Sequence, residues 1–183
     1  MKVNKLTGFI FFSLKSFFLN ITFKTIKINL INMNVCIGGT FDKLHKGHKT
    51  LIEKAFEKAG DKGTIFIGVT TDDFIKDKKN VKPLIERIKN IEKYLNEKKY
   101  GKNYIIQPIS DRYGSSIDGD FDAIVVSSET IKNAELINNK RRKMGKKPLK
   151  IIEIKPVLAD DGIRISSTRI RNHEIDENGK ITK

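Results

Sequence analysis

The sequence predicts an α/β domain built on a parallel β-sheet. Short apolar runs alternate with helical patterns along residues 33–183, and this alternation is typical of βαβ units whose strands lie parallel. The run 64–70 (TIFIGVT) is almost continuously apolar, as expected of a strand that is buried on both faces of its sheet. Residues 33–183 contain no repeat of fixed period and no linker, so we expect them to form one domain.

The first predicted strand is followed by a tight turn and a helix. Residues 34–37 form a short apolar run that ends at Gly38 and Gly39. From 46 to 59 the period becomes helical, with one apolar stripe and Lys and Glu on the opposite side, and Gly60 ends the helix. The remaining pattern predicts helices over about 84–98 and 129–144, strands over 104–109, 121–126 and 149–154, and a short helix near the C-terminus.

The composition indicates an anionic partner. Lys and Arg number 36 against 22 Asp and Glu, which gives a formal net charge of +14 and a pI near 9.8. This excess suits nucleotides, nucleic acid or anionic lipid. An apolar content of 38% excludes disorder for most of the chain. The single cysteine, Cys36, cannot close an intrachain disulfide, and no His/Cys cluster has zinc-site spacing, so we expect a cytoplasmic setting.

Residues 1–32 differ in composition from the rest. They contain five lysines, no acidic residue and six of the eleven Phe, so residues 33–183 retain a net charge of +9. Lys15 interrupts the apolar stretch 8–14, which disfavours a transmembrane helix and a secretory signal. The bias towards Phe, Ile, Lys, Asn and Leu is expected of a translated AT-rich region. We hypothesise a poorly structured or misassigned extension with Met33 as the true start; the alternative is an amphipathic membrane anchor.

The segment from Gly38 to His48 (GGTFDKLHKGH) lies between the first strand and the first helix, where α/β sheets bind ligands. Paired glycines allow a sharp turn and a close approach to a phosphate, and the amides of a helix start supply donors. His45 and His48 stand three residues apart, and Gly47 has no side chain to block a phosphate. The segment matches neither G-x-G-x-x-G nor G-x-x-x-x-G-K-[ST]. We predict a phosphate-binding loop outside the usual families.

Two further segments suit phosphate binding. Residues 164–171 (RISSTRIR) combine hydroxyl groups that can cap a helix start with arginines that offer planar forks to phosphate oxygens. The basic loop 76–82 follows the second strand and projects from the same sheet edge as the first segment. A catalytic lysine among Lys78, Lys79 and Lys82 is the functional hypothesis for this loop, and a solvated lysine run is the alternative.

These strings resemble, in their order, those of the HIGH-type nucleotidyltransferase superfamily, in particular the archaeal phosphopantetheine adenylyltransferases. The resemblance covers nearly all of 33–183 and is carried by GGTFDxLHxGH at 38–48, VVSSET at 125–130, KPL at 147–149 and ISSTRIR at 165–171. It implies a Rossmann-like nucleotidyltransferase fold of about five parallel strands with helices on both faces. It also implies Mg²⁺-dependent transfer of AMP from ATP to 4′-phosphopantetheine, which gives 3′-dephospho-coenzyme A and pyrophosphate in coenzyme A biosynthesis.

The resemblance also implies roles for single residues. Thr40 would contact both phosphates, and His45 and His48 would hold the ATP phosphates, with His48 stabilising the transition state. Lys79 and Arg87 match the family's acceptor-binding residues only in character. The nucleotide-binding residues implied are Gly38, Gly39, Thr40, Phe41, His45, Gly47, His48, Ser127, Ser128, Glu129, Ser166, Ser167 and Thr168. No protein ligand of a metal is implied.

Other functions stay open on the sequence alone. Cytidylyl or adenylyl transfer to glycerol phosphate, choline phosphate or nicotinamide mononucleotide would use the same first motif, so the choice of acceptor depends on 125–130 and 165–171. A basic nucleic-acid-binding protein would explain the pI, with 140–143 and 146–147 as a backbone-binding patch. The chain lacks helix-turn-helix and stacking-aromatic signatures. We therefore expect small-molecule substrates and neither a nucleic-acid nor a membrane partner; the oligomeric state is not predicted.

Overall fold

A computed structural model of the chain describes residues 32–101 and 103–182. Five parallel strands form one sheet in the order β3-β2-β1-β4-β5. The strands are β1 (Val35–Gly39), β2 (Ile65–Thr70), β3 (Tyr104–Ile109), β4 (Ala123–Val126) and β5 (Lys150–Glu153). The helices are α1 (Lys46–Ala59), α2 (Leu84–Glu97), α3 (Ile131–Lys143) and α4 (Ser167–Arg171), and single 3₁₀ turns cover Asp73–Ile75 and Gly114–Ser116. Apart from Asn32, the prediction for residues 1–32 lies outside the described residues.

The sheet is covered on both faces, as predicted. Successive residues of β1 point to opposite sides: Val35 and Ile37 pack in one core cluster with residues of α1 and α2, and Cys36 packs in another with residues of α3. Cys36 is thus a small buried residue of the core. The α/β fold with a five-stranded parallel sheet and helices on both faces is confirmed.

Helix α1 has the bounds that the sequence pattern predicts. His45 is its N-cap and accepts the amide of His48, while Gly60 ends it with a positive φ of 69°. Four positions of the apolar stripe, Leu51, Ile52, Ala55 and Ala59, are buried against the sheet. The helix therefore begins at the loop that carries the histidine motif, and its buried stripe fixes that loop against the sheet.

The strand order reverses between β1 and β4, because β2 and β3 lie on one side of β1 and β4 and β5 on the other. The chain segments that leave β1 and β4 consequently diverge, and a crevice opens at the carboxyl edge of the sheet. After β5 a small apolar cluster, which includes Ile165 and Ile175, holds the C-terminal segment near this edge. There the carbonyl of Glu177 accepts the backbone amide of Lys46, the first residue of α1.

A search of the described residues found no helix of sufficient length and apolar character to span a bilayer.

Candidate functional site

A cleft of about 830 Å³ occupies the crevice at the carboxyl edge of the sheet. Its walls come from the loop after β1, the ends of β2 and β3, the segment after β4 and the residues that lead into α4. Every nucleotide-binding residue that the sequence implies lines this cleft: Gly38, Gly39, Thr40, Phe41, His45, Gly47, His48, Ser127, Ser128, Glu129, Ser166, Ser167 and Thr168. Three segments that are far apart in the sequence are thus brought into one site.

The two histidines of the motif stack on each other. Their ring centroids lie 3.8 Å apart and the ring planes differ by 19°, and Nδ1 of His45 accepts the backbone amide of His48 at 3.4 Å. Glycine at position 47 leaves room for this stack, because a Cβ there would lie 3.1 Å from the ring of His45, and the ring would have to shift.

Both imidazoles are neutral at pH 7. Burial lowers the pKa of His45 from its ordinary 6.5 to about 4, with a further contribution from the positive charge of Arg164. Burial also lowers the pKa of His48 well below its ordinary value; His45 adds to this shift and the backbone of Lys43 opposes it. Nδ1 of His48 is buried without a hydrogen-bond partner of normal geometry among the described residues. An unsatisfied polar atom of this kind is uncommon in native interiors outside functional sites.

The sequence suggested that Gly38 and Gly39 make the turn after β1, but the structure places the turn further along the chain. Gly38 and Gly39 end the strand, and the positive φ angles fall at Phe41 (52°) and Lys43 (47°). Non-glycine residues in this region are strained and concentrate at functional sites. Gly39 serves a different purpose, because an added Cβ would lie 3.3 Å from the buried ring of Phe41. The packed phenyl ring holds the loop in its strained form.

The basic loop reaches the cleft through Lys78 rather than Lys79. Nζ of Lys78 donates to Oγ1 of Thr40 at 3.2 Å, and the hydroxyl of Thr70 donates to the same atom at 3.3 Å. Lys79 is exposed and does not line the cleft, and its assignment to the acceptor stays a prediction. Arg112, after β3, also lines the cleft and has no hydrogen bond or ion pair within the described part of the chain. We did not predict it from the sequence, although its place after a strand was a usable signal.

Arg87 lies beneath the cleft and not in it. Its side chain is fully buried and does not line the cleft, so the substrate-binding role implied for it stays a prediction, and its contacts here are all within the protein. The guanidinium donates to the carbonyls of Thr40 (2.7 Å), Thr70 (2.8 Å) and Lys82 (2.8 Å), and to the carboxylate of Asp72 (2.7 Å). It therefore ties the ends of β1 and β2 to the start of α2.

The basic patch predicted near the end of α3 is partly used inside the protein. Arg141 is buried and donates to the carbonyls of residues 116, 117, 119 and 147. Lys140 lies over the ring of Tyr113, 4.9 Å from its centroid, and Lys146 donates to the carbonyl of Asp118. These contacts give the patch a structural explanation that does not involve a nucleic acid.

The acidic residues that line the cleft are already engaged. Asp42 pairs with Arg171, Glu129 pairs with Arg164, and Asp111 accepts two backbone amides at 2.7 Å. Within the described ranges no group of three or more His, Cys, Asp or Glu could hold a metal ion. The hydroxyl, amide, ammonium and guanidinium donors of the cleft suit anionic oxygens.

The chain is similar in sequence to known proteins. Residues 36–173 match the cytidylyltransferase-like family. The chain is 45% identical over 152 residues to a phosphopantetheine adenylyltransferase of Methanosarcina mazei, covering 97% of that protein and 81% of this chain. The chain therefore belongs to the cytidylyltransferase-like family, among the phosphopantetheine adenylyltransferases. The family that the sequence motifs predicted is confirmed.

Two further relatives agree with this placement. A phosphopantetheine adenylyltransferase of Methanothermobacter thermautotrophicus is 48% identical over 151 residues, which cover 81% of this chain and 89% of that protein. A crystal structure of a protein of unknown function from Archaeoglobus fulgidus is 40% identical and superposes with a TM-score of 0.61, covering 67% of this chain and 89% of that one. The sequence comparison thus agrees with the family assignment, and the superposition agrees with the architecture of the sheet and helices.

Replacing Arg87 by Met is expected to destabilise the fold by about 3 kcal/mol, because it leaves buried carbonyls without donors. Urea unfolding measures the change. Lys89→Met, on an exposed position of the same helix, is the control and is expected to change stability by less than about 0.5 kcal/mol. If the Arg87 variant keeps wild-type stability and loses only substrate affinity, Arg87 is a binding residue and not a structural tie between strands.

The lowered pKa of His45 makes stability depend on pH. In the unfolded chain His45 becomes protonated below about pH 6.5, whereas in the folded protein it becomes protonated only near pH 4. The free energy of unfolding therefore falls as the pH drops from 7. The expected loss from His45 at pH 5 is about 2 kcal/mol. His45→Asn, which retains a capping group, is expected to reduce this dependence in urea titrations at pH 7 and 5, while the contribution of the buried His48 remains. An unchanged slope would remove His45 as its source.

Proposed function

We propose that this chain transfers AMP from ATP to 4′-phosphopantetheine, giving 3′-dephospho-coenzyme A and pyrophosphate. The observation that carries the proposal is the meeting of the histidine motif, the serine segments and the basic loop in one cleft, in a chain that aligns with nearly the whole length of relatives named phosphopantetheine adenylyltransferase. The use of ATP, its Mg²⁺ and a cytoplasmic setting are part of this proposal.

The proposed reaction needs no general base. An oxygen of the acceptor's phosphate monoester attacks the α-phosphorus of ATP, a new P–O bond forms, and the bond from that phosphorus to the bridging oxygen breaks as pyrophosphate leaves. The attacking group is already largely ionised at pH 7, because its second pKa is about 6. The protein must therefore position two anions in line and stabilise the charge on the transferring group.

The geometry of the cleft suits these tasks. Lys78 and Thr40 present an ammonium and a hydroxyl at the end of β1, where they would receive the acceptor's phosphate. His48 lies in the first turn of α1 and lines the same cleft. A neutral imidazole there can donate one hydrogen bond to an oxygen of the α-phosphate without repelling the basic groups nearby. Mg²⁺ would be held by the nucleotide's phosphate oxygens, where it would offset their negative charge.

Pyrophosphate release by the full chain tests the proposal. MgATP and MgCTP are each incubated with 4′-phosphopantetheine, nicotinamide mononucleotide, glycerol phosphate and choline phosphate. We expect turnover with ATP and 4′-phosphopantetheine alone, and a loss on the order of 100-fold or more in His48→Ala, because a charge-stabilising donor is removed. Turnover with a different pair would overturn the choice of substrate, and folded protein that is silent on all pairs would overturn the enzymatic function.

The neighbouring lysines of the basic loop provide a matched pair of variants. Lys78→Ala removes the ammonium at Thr40 and is expected to lower kcat/KM for the acceptor by about 10- to 100-fold. Lys79→Ala removes the same charge from an exposed position outside the cleft, and its kcat/KM is expected to stay within about two-fold of the wild type. Equal losses in both variants would show that the loop acts only through its overall charge.

A further inference from the structure

Three segments of the chain meet at Asp42, which is only 1% exposed. Its Oδ1 accepts the backbone amide of Lys82 at 3.2 Å, and its Oδ2 accepts a hydrogen bond from Nη1 of Arg171 at 2.6 Å. Its own carbonyl accepts the hydroxyl of Ser167 at 2.6 Å. One residue thus joins the loop after β1, the basic loop before α2 and the short helix α4.

Arg171 is held in the cleft by these contacts. Its side chain is 19% exposed and lines the cleft, with Nη1 on Asp42 and Nη2 donating to the hydroxyl of Thr168 at 3.1 Å. The described contacts leave its Nε without an acceptor. A carboxylate as deeply buried as that of Asp42 needs a paired cation, so the ion pair exists before any ligand arrives. The guanidinium is therefore fixed in advance, with a donor still available.

We propose that Asp42 is a positioning residue that holds the Arg171 guanidinium ready for the phosphate groups of the nucleotide. This inference rests on the proposed function and names a residue that acts through Arg171 without touching the substrate. An arginine left free would lose side-chain freedom on binding a phosphate, and fixing it beforehand removes that cost from the binding step. Asp42 also accepts the backbone amide of Lys82, so the same carboxylate fixes the position of the last residue of the basic loop.

The chain contains a matched control on the same helix. Arg169 pairs with Asp161, and Nε of Arg169 donates to Glu174 at 3.0 Å. Neither Arg169 nor Asp161 lines the cleft. Asp161→Asn therefore breaks a more exposed arginine–aspartate pair, whose arginine lies on α4, with the same loss of charge, while the cleft keeps its lining.

The test is the affinity of the full chain for MgATP, measured by isothermal titration calorimetry without an acceptor. We expect Asp42→Asn to weaken binding about 10-fold and Arg171→Ala to weaken it at least as much, and the double variant to bind as Arg171→Ala does, because Asp42 acts through the arginine. Asp161→Asn is expected to lower Tm and leave the affinity unchanged. Two results would overturn the proposal. One is an unchanged affinity for MgATP in Asp42→Asn, and the other is a double variant whose fold-loss of affinity equals the product of the two single losses.

A measurement on the wild-type protein needs a variant only to assign the signals. Nitrogen-15 NMR of the arginine guanidinium groups, with Arg171 identified by its absence in Arg171→Lys, reports rotation about the guanidinium bonds. We expect slow rotation for Arg171 before nucleotide is added, and a shift of its signals with MgATP. Fast rotation in the nucleotide-free protein would overturn the proposal, because Asp42 would not be holding the group.

The two proposals fail in different ways. Binding of MgATP needs no acceptor, so wild-type protein that binds MgATP but does not act on 4′-phosphopantetheine contradicts the proposed reaction, while the ratio between wild type and Asp42→Asn still decides the role of Asp42. Wild-type protein that binds no MgATP contradicts both.

Discussion

The buried guanidinium of Arg87 is the constraint on which the cleft depends. Its N–H groups donate to the carbonyl of Thr40, just after β1, to that of Thr70, the last residue of β2, and to that of Lys82, so one planar group fixes the spacing of three backbone segments. Burying a charge is unfavourable unless its donors are satisfied, and the three carbonyls together with Asp72 satisfy them. Once Thr40 is fixed in this way, the lysine that contacts its hydroxyl and the histidines that follow it have defined positions.

The electrostatics of the cleft follow from the same packing. Burial keeps His45 and His48 neutral, so the positive charge at the site comes from lysine and arginine side chains such as Lys78 and Arg112, which lie nearer the rim. An incoming polyanion is attracted by the net charge of the domain and then meets neutral hydrogen-bond donors at the centre. This division avoids burying several unpaired cations together, which would be costly before the substrate is bound.

Much of this fold was predictable from the sequence, since it depends on periodicity. The continuous apolar run of β2 and the amphipathic stripe of α1 set these two elements to nearly their final bounds, and the order of the motifs indicated the family. The contents of the cleft were predicted where the residues stand next to a strand or a helix start.

The features that the sequence could not predict are side-chain direction and burial. No pattern distinguishes Lys78 from Lys79 in a basic loop, because the direction of each side chain depends on contacts with Thr40 from another strand. Arginine is rarely fully buried, so Arg87 could not be recognised as internal from its residue type. Asp42 lies inside the motif, yet its partner Arg171 is 129 positions away, and only the folded chain reveals the pair.

The proposed reaction and the proposed role of Asp42 both require one binding mode. In this mode the nucleotide's phosphates lie beside His48, in the cleft at the carboxyl edge of β1 and β4. A crystal structure of the full chain with Mg²⁺ and α,β-methylene ATP examines it without kinetic assumptions. We expect a triphosphate over the start of α1, with phosphate oxygens within hydrogen-bond distance of His48 and Arg171. A nucleotide bound elsewhere on the protein, or a triphosphate in the cleft out of reach of both side chains, would contradict this binding mode.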